Sequence, residues 1–409
     1  MGPRAAARIG AVDVLMLTNV LPGGRRTGGE IVTQSVVDAL FKAGREVRTL
    51  GYRRPGDGAR PQRGELCVGR RPAETRAAGP RALAWGARAL ATRTPYSTTK
   101  WRSRAYLRAV DEALGEGPGA VIVDHAGLHV VAPPADRSGA RSVFLAHNAE
   151  GEMYARLAAA AGTRAGRSVY AREARLIREV ETQLATRSRQ VWTLTESDAD
   201  YFRAISPAAD VRTLEVASPL CEPVDAAGPE YDVALIGTWN WRANAHGLEW
   251  FADEVVPRLP AGMTVEVAGR GADWLRGRHP NVAVRGVVPD AQRFMSKARV
   301  MAVPSVEGGG VQVKTLDAIA SGVPVVATRV ATRGLHGLPA SVAVAEGAAD
   351  FAENLRSLAA EPGRDALRAE AVAWSRARRE RLDASVASWV GELTGGEPEP
   401  RQPAREPVR

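Results

Sequence analysis

Lysine and cysteine are the scarce residues of this chain. Of its 55 basic side chains, 4 are lysine (Lys42, Lys100, Lys297, Lys314) and 51 are arginine. So much arginine beside so much alanine and glycine is the mark of a GC-rich coding bias, and most of the net charge of +9 is expected on solvated surface. A lysine stands out against that background. Two cysteines, Cys67 and Cys221, build no disulfide framework and have no metal-like spacing. Two unpaired thiols fit a reducing cytoplasm. Long apolar runs are missing too: none approaches the roughly 20 residues of a membrane-spanning helix. The run behind the basic N-terminus is broken by Asp13, Thr18 and Asn19, and reads as a first core strand in place of a signal peptide. No tandem repeat of solenoid period is present.

What remains is an ordinary soluble composition, 45% apolar and 25% charged, over 409 residues. That length suggests two domains of roughly 200 residues each. The first half opens with a strand over Val12–Leu17, the loop TNVLPGGRRTGGE, a helix from Ile31 to Ala43 stopped by Gly44, and a strand over Val47–Tyr52. A long excursion rich in Pro, Gly and Arg (Arg53 to Pro80) carries one short strand, Glu65–Val68. Helices are expected over Arg81–Ala91 and Trp101–Leu114, strands over Ala120–Asp124 and Ser142–Ala146, and one continuous helix over Tyr154–Leu184. A strand over Val191–Thr195 precedes a short helix that Ser197 or Asp198 can cap, and Val211–Val216 closes this half. The stretch ASPLCEPVDAAGPE, 217–230, is the best linker. The alternation then restarts at Asp232–Ile236, with a helix over Gly247–Pro257 and strands at Thr264–Ala268, Val282–Arg285 and Ser341–Ala345. EPEPRQPAREPVR, from Glu397 to Arg409, is Pro- and charge-rich and is expected to be disordered.

One stretch concentrates chemistry: PSVEGGGVQVKTLDAIASGVPVVAT, residues 304–328. A buried strand leads into Gly308, Gly309 and Gly310, a helix follows from Val311 to Ala320, and a second strand closes the unit. A glycine loop at the positive end of a helix offers free N–H groups to a phosphate. Lys314 sits in the first turn and Asp317 lies three residues on, on the same face. The cation suits a diphosphate and the carboxylate suits ribose hydroxyls; the alternative is an ion pair on a solvated helix face. His147 and His125 each follow a strand, where ligands of open α/β sheets gather, and each reads equally as a hydrogen-bonded structural histidine. Gly28 and Gly29 offer either an anion or sugar loop or a tight turn. Trp239 and Trp241 could stack on a base or sugar, but their apolar context favours packing between helix and sheet. The basic residues lack the aromatic interleaving of a nucleic-acid binder.

Taken together, DVALIGTWNWRANAHGLEWFADEVVPRLP, VEVAGRG, VAVRGVVPD, ARVMAVPS and GGGVQVKTLDAIASGVPVVAT resemble, in order and spacing over residues 231–338, the retaining family 4 glycosyltransferases (glycosyl transferases group 1). Weaker resemblances are TGGE near Gly28, VFLAHNAEGE around His147 and VWTLTESDADYF around Thr195. The resemblance implies a GT-B fold, α/β, with two facing Rossmann-like domains and an interdomain cleft. Its divisions are an acceptor domain over 1–217, a linker over 218–230, a nucleotide-sugar domain over 231–381, a helix returning to the first domain over 382–395, and a disordered tail over 396–409.

It also implies roles. Lys314 and the glycine amides hold the leaving diphosphate, Asp317 replaces a ribose-binding glutamate, and His147 positions the sugar or the reacting groups. Many relatives carry two glutamates eight positions apart; here Gly309 occupies the first acidic position, with Glu307 able to serve only from a shifted loop. Arg242 and Arg270 are candidates for a missing Arg and Lys pair, and Gly286 for a donor-loop glycine. No metal site and no cofactor is expected. The expected partners are a nucleoside diphosphate sugar and an acceptor that is a glycan, a lipid-linked glycan or a secondary metabolite, in the cytoplasm or at the inner, anionic face of a membrane. Rival readings are a nucleotide-sugar epimerase and a non-catalytic nucleotide-sugar-binding relative.

Overall fold

A computed structural model describes residues 12–24, 27–58, 61–73, 78–132, 141–220 and 228–395. Cys221, most of the expected linker and the tail 396–409 lie outside the described residues. The chain divides into two compact units, Met1–Leu214 with Leu382–Arg409, and Glu215–Arg381.

The first unit holds β1 (Val14–Val20), β2 (Val47–Arg53), β3 (Glu65–Arg70), β4 (Ala120–Asp124), β5 (Arg141–Ala146), β6 (Gln190–Thr193) and β7 (Val211–Thr213). All pair in parallel in the order β3-β2-β1-β4-β5-β6-β7. The central strands are apolar without alternation: all five residues of AVIVD in β4 are buried, as a parallel strand covered on both faces requires. Leu15, Leu17, Leu50, Tyr106, Phe144 and Phe202 form the core. Strand order reverses between β1 and β4, which opens a crevice at their carboxyl ends.

The helix Gly28–Lys42 begins three residues before its expected start. Thr27 is its N-cap: its side-chain oxygen accepts from the Glu30 amide and its hydroxyl donates to the Glu30 carboxylate at 3.0 Å. Gly44, at φ 76°, ends the helix as expected. The single helix expected over Tyr154–Leu184 is two, Glu150–Ala159 and Arg164–Arg187. The break comes at Gly162 and Thr163, where the Thr163 side chain caps the second helix by accepting from the Gly166 amide. The helix Glu196–Ile205 is capped by Thr195, not by Ser197 or Asp198, because it is the Thr195 side chain that accepts from the Asp198 amide.

The second unit holds β8 (Tyr231–Ile236), β9 (Val265–Ala268), β10 (Val282–Gly286), β11 (Ala298–Val303), β12 (Val325–Thr328) and β13 (Val342–Ala345). This parallel sheet has the order β10-β9-β8-β11-β12-β13, with its reversal between β8 and β11. Val233, Leu235, Phe251, Val267, Val300 and Phe351 lie in its core. The helix expected over Gly247–Pro257 starts at Arg242 and runs to Trp250, then loosens through a π turn (Phe251–Val255) and a 3-10 turn (Val256–Arg258). Pro257 lacks the N–H that a regular helix would need there.

The last helix, Arg364–Thr394, belongs to the second unit through Arg381 and to the first from Leu382. In its final part Leu382, Val386, Val390 and Leu393 are buried at helical spacing. Trp389 packs against Trp192 with ring centres 5.6 Å apart, and Glu392 accepts two hydrogen bonds from Arg212.

Candidate functional site

In the second unit, the polar residues of interest gather at the carboxyl ends of β8 and β11. The helix Arg242–Trp250 can lie there because residue 247 is glycine: a Cβ at that position would sit 2.3 Å from the Pro304 carbonyl oxygen. One turn before Gly247, Asn244 faces Lys314 in the first turn of the helix Val313–Ala320. The Lys314 Nζ donates to Asn244 Oδ1 at 2.8 Å, while Asn244 Nδ2 donates to the Thr238 carbonyl at 3.0 Å. The second bond fixes which way the amide is turned. Lys314 also lines a small pocket with Ile236, Trp239, Met301, Val303 and Pro304. Burial pushes the Lys314 ammonium down to about 8. No carboxylate lies within ion-pair distance of it among the described residues.

The ion pair between Lys314 and Asp317 that the spacing allows does not form. Asp317 instead accepts from the Ser218 hydroxyl at 2.6 Å, and burial, against that bond, pushes its carboxyl up to about 6. Neither Asn244 nor Ser218 carries a sequence signal: each partner is brought in from another loop or helix.

The glycine loop is longer than expected, since its helix starts at Val313 in place of Val311. Gly308 and Gly310 have φ values of 143° and 64°, which favour glycine, and a Cβ on Gly308 would meet the Gln312 side chain at 2.8 Å. Among the described residues, none of the amides of Gly308, Gly309 and Gly310 donates to a protein acceptor. The Gly308 carbonyl accepts from Arg333 at 3.0 Å.

Glu307 is turned toward the helix Arg242–Trp250, with its Oε1 3.2 Å from His246 Nδ1 and 3.8 Å from Arg242 Nε. Arg242 is thus beside the loop, while Arg270 is exposed after β9. Gly286 ends β10 at φ 70°, and its carbonyl accepts from Gly269. Trp239 is packed as expected, its indole N–H donating to the Ala268 carbonyl at 2.8 Å. Trp241 is not packed: it is 66% exposed, because it sits just before the helix on the solvent side.

The first unit has its own cluster, at the crevice beside β1 and β4. Asp124 ends β4, fully buried. Its Oδ2 accepts from Thr18 at 2.7 Å and from Thr33 at 2.8 Å, and its Oδ1 accepts from His147 Nε2 at 2.6 Å. His125 Nδ1 lies 3.1 Å from the same Oδ1, off line for a hydrogen bond. The two imidazoles stack with centres 3.7 Å apart. His125 has φ 77°, an uncommon conformation for a residue with a Cβ.

Burial alone would raise the Asp124 carboxyl, but the two histidines outweigh it and hold it well below the usual carboxylate range. Burial also opposes charge on both rings. For His125 the neighbouring carboxylate wins and the net shift is upward; for His147, burial and the His125 charge together give a downward shift. The remaining nitrogens, His125 Nε2 and His147 Nδ1, face Gly29, lying 3.4 and 3.7 Å from where its Cβ would be. Gly28 and Gly29 are themselves the first residues of their helix. The fold therefore joins His125, His147 and this glycine pair, which the sequence leaves as separate candidates. Asp124, which no motif marks, is the residue that joins the histidines.

Asp124, His125 and His147 place ligand atoms within 4.8 Å of one another, so the fold assembles a group that spacing in the sequence does not show. Their geometry suits proton sharing better than coordination. The rings lie 22° from parallel, and His147 Nε2 is already engaged with Asp124 Oδ1 through a shared proton at 2.6 Å.

Residues 230–361 match the family model described as glycosyl transferases group 1. These residues, within the second unit, are a group 1 glycosyltransferase domain. No curated protein matches the sequence. Among solved structures, the chain is similar to sucrose-phosphate synthase from Thermosynechococcus elongatus, with a TM-score of 0.63 and 15% identity over 93% of this chain and 97% of that one. It is similar to HepE from Anabaena in complex with UDP and glucose, with a TM-score of 0.60 and 12% identity over 93% and 99%. It is also similar to WaaG, a glycosyltransferase involved in lipopolysaccharide biosynthesis, with a TM-score of 0.59 and 16% identity over 94% and 100%. At such identities the likeness is one of fold. Two parallel α/β sheets in succession, the second in a group 1 domain, are the GT-B architecture.

Proposed function

We propose that the protein transfers a sugar from a nucleoside diphosphate sugar to an acceptor hydroxyl, with retention of configuration and without a metal. The observation that carries this reading is Lys314, a largely buried ammonium that, among the described residues, donates to the neutral amide of Asn244 and to no carboxylate, beside three glycines whose N–H groups meet no acceptor among those residues. A buried cation without a counter-charge is costly unless a ligand supplies one. A diphosphate does so, and the group 1 domain supports that donor class. HepE is described with UDP and glucose bound.

In this reading the bond from the anomeric carbon to the diphosphate oxygen breaks and its electron pair stays on the phosphate. Lys314 and the loop amides stabilise that charge, an effect typically worth a few kcal/mol. The acceptor oxygen bonds to the anomeric carbon from the same face, and its proton passes to a phosphate oxygen of the leaving group. Asp317 takes the ribose hydroxyls, and His147 positions the sugar. Gly309 leaves the first acidic position of the family empty, and Glu307, which faces His246 and Arg242 beside the loop, is the candidate to serve it.

The acceptor is a glycan, lipid-linked glycan or secondary metabolite, met in the cytoplasm or at the membrane's inner face. Among the described residues no helix is long and apolar enough to cross a membrane. The test is a panel of nucleotide sugars scored for thermal stabilisation, followed by acceptor-dependent release of nucleoside diphosphate in the presence of EDTA. Isomerisation of the donor sugar without acceptor would replace this reading with an epimerase. Binding without turnover on any acceptor would replace it with a non-catalytic relative.

A further inference from the structure

Most large apolar side chains of the first unit are buried, but two neighbouring helices depart from that rule. In the helix Pro80–Ala91, Leu83 and Leu90 are 79% and 66% exposed, and they fall on one face because seven residues are about two turns. Only Ala89 of this helix is buried. In the helix Arg164–Arg187, Val169 is 59% exposed and Tyr170 lies beside it. Arg172 ties the two helices together, donating to the Ala89 carbonyl at 2.9 Å from one turn beyond Val169. The two exposed apolar sets therefore flank one junction.

Along two segments that carry them the charge has a single sign, although Arg172 itself pairs with Glu173. From Ala78 to Val110 the chain has basic residues and no acidic one, and the same holds from Met153 to Arg172. Arg81, Arg88, Arg93, Arg164 and Arg167 are exposed. We propose that this face docks on the surface of an anionic lipid bilayer, with Leu83, Leu90 and Val169 entering the acyl boundary and the surrounding arginines meeting the headgroups. Exposed aliphatic side chains ringed by cations are the pattern of an interfacial helix. A nucleic-acid surface would use stacking aromatics in place of leucine. A second copy of this chain would bring one basic face against another, which repels.

The experiment is co-sedimentation of the full-length protein with vesicles of phosphatidylcholine alone or with phosphatidylglycerol. Binding to the anionic vesicles only, weakening as salt rises, is expected. The Leu83→Glu/Leu90→Glu double variant should lose at least about tenfold in partitioning. Its melting temperature and nucleotide-sugar stabilisation should be those of the wild type, since both side chains lie in solvent. Equal binding to neutral and anionic vesicles, no binding to either, or full binding by the double variant would overturn the proposal. So would retention on heparin that the leucine changes leave intact together with absence of vesicle binding, which would mark a general polyanion site. A mass that doubles with concentration and falls to the monomer in the double variant, again without vesicle binding, would assign the face to self-association.

Discussion

The ammonium of Lys314 donates to the side-chain oxygen of Asn244 at 2.8 Å, and that oxygen is aimed at Lys314 because the other end of the amide is held by the Thr238 carbonyl. Lys314 is thus oriented without being neutralised. Replacing it with alanine should leave the far-UV circular dichroism unchanged and lower kcat/KM by about 10² to 10³, the usual cost of losing one strong stabiliser of developing charge. Near-normal turnover in Lys314→Ala would remove the central claim.

The same residue sets a pH dependence. Its pKa is pushed down to about 8 by burial, so the free protein holds a charged lysine below that pH and a neutral one above it. Affinity for a nucleoside diphosphate, measured by calorimetry, should fall as pH rises through about 8, and Lys314→Ala should flatten that limb. Asn244→Asp should weaken binding at neutral pH, because a carboxylate at that distance supplies the counter-charge that the diphosphate otherwise brings.

Asp317 carries a stability signature of opposite form to a salt-bridged carboxylate. Its pKa is raised to about 6 by burial, above the unfolded value, so the folded state binds the extra proton between about 4 and 6. Its contribution is therefore fully present below pH 4 and is lost as pH rises through 6. Wild type should lose roughly 2 kcal/mol more than Asp317→Asn over that interval in urea titrations, given about 1.4 kcal/mol per pKa unit. Parallel profiles would show that Asp317 is ordinarily solvated.

In the first unit, one carboxylate serves two stacked imidazoles. His125 should titrate above the usual histidine value and His147 below it, as two separate transitions in imidazole nitrogen NMR. Asp124→Asn should draw the His125 transition downward. Asp124→Ala should also cost about 2 kcal/mol of stability, since His147 would keep a buried ring nitrogen without its partner, while Thr18 and Thr33 fall back on the Val20 and Gly29 carbonyls. A single shared histidine transition in the wild type would contradict this arrangement.

Gly247 tests the architecture behind Asn244. Glycine to alanine inside a helix ordinarily stabilises by up to about 1 kcal/mol. Here the new Cβ meets the Pro304 carbonyl, so Gly247→Ala should destabilise by about 1 to 3 kcal/mol and weaken nucleotide binding by moving Asn244 off Lys314. An unchanged melting temperature would show that the two segments yield without cost.

Local pattern was enough for the alternation of strand and helix, the stop at Gly44 and the glycine-to-helix turn before Lys314. Apolar runs, turn residues and caps act over a few residues, and the sequence displays them directly. Misplaced boundaries occur where that local code is soft. Thr195 took the capping role expected of Ser197 or Asp198, and the helix Arg164–Arg187, capped by Thr163, separated from its predecessor at a glycine that the charge pattern ran across.

Partnership was a different matter. That Lys314 and Asp317 share a helix face follows from their spacing; that one bonds Asn244 and the other Ser218, and neither bonds the other, depends on segments 70 and 99 residues away. Asp124 looks like the last residue of an apolar strand, yet it organises two histidines and two threonines. The chain by itself determined which residues could do chemistry, through their types and their positions at strand ends. Which of them meet, and with what charge, was decided by the packed sheets, because burial and long-range contact shift a proton's affinity in ways that no local pattern records.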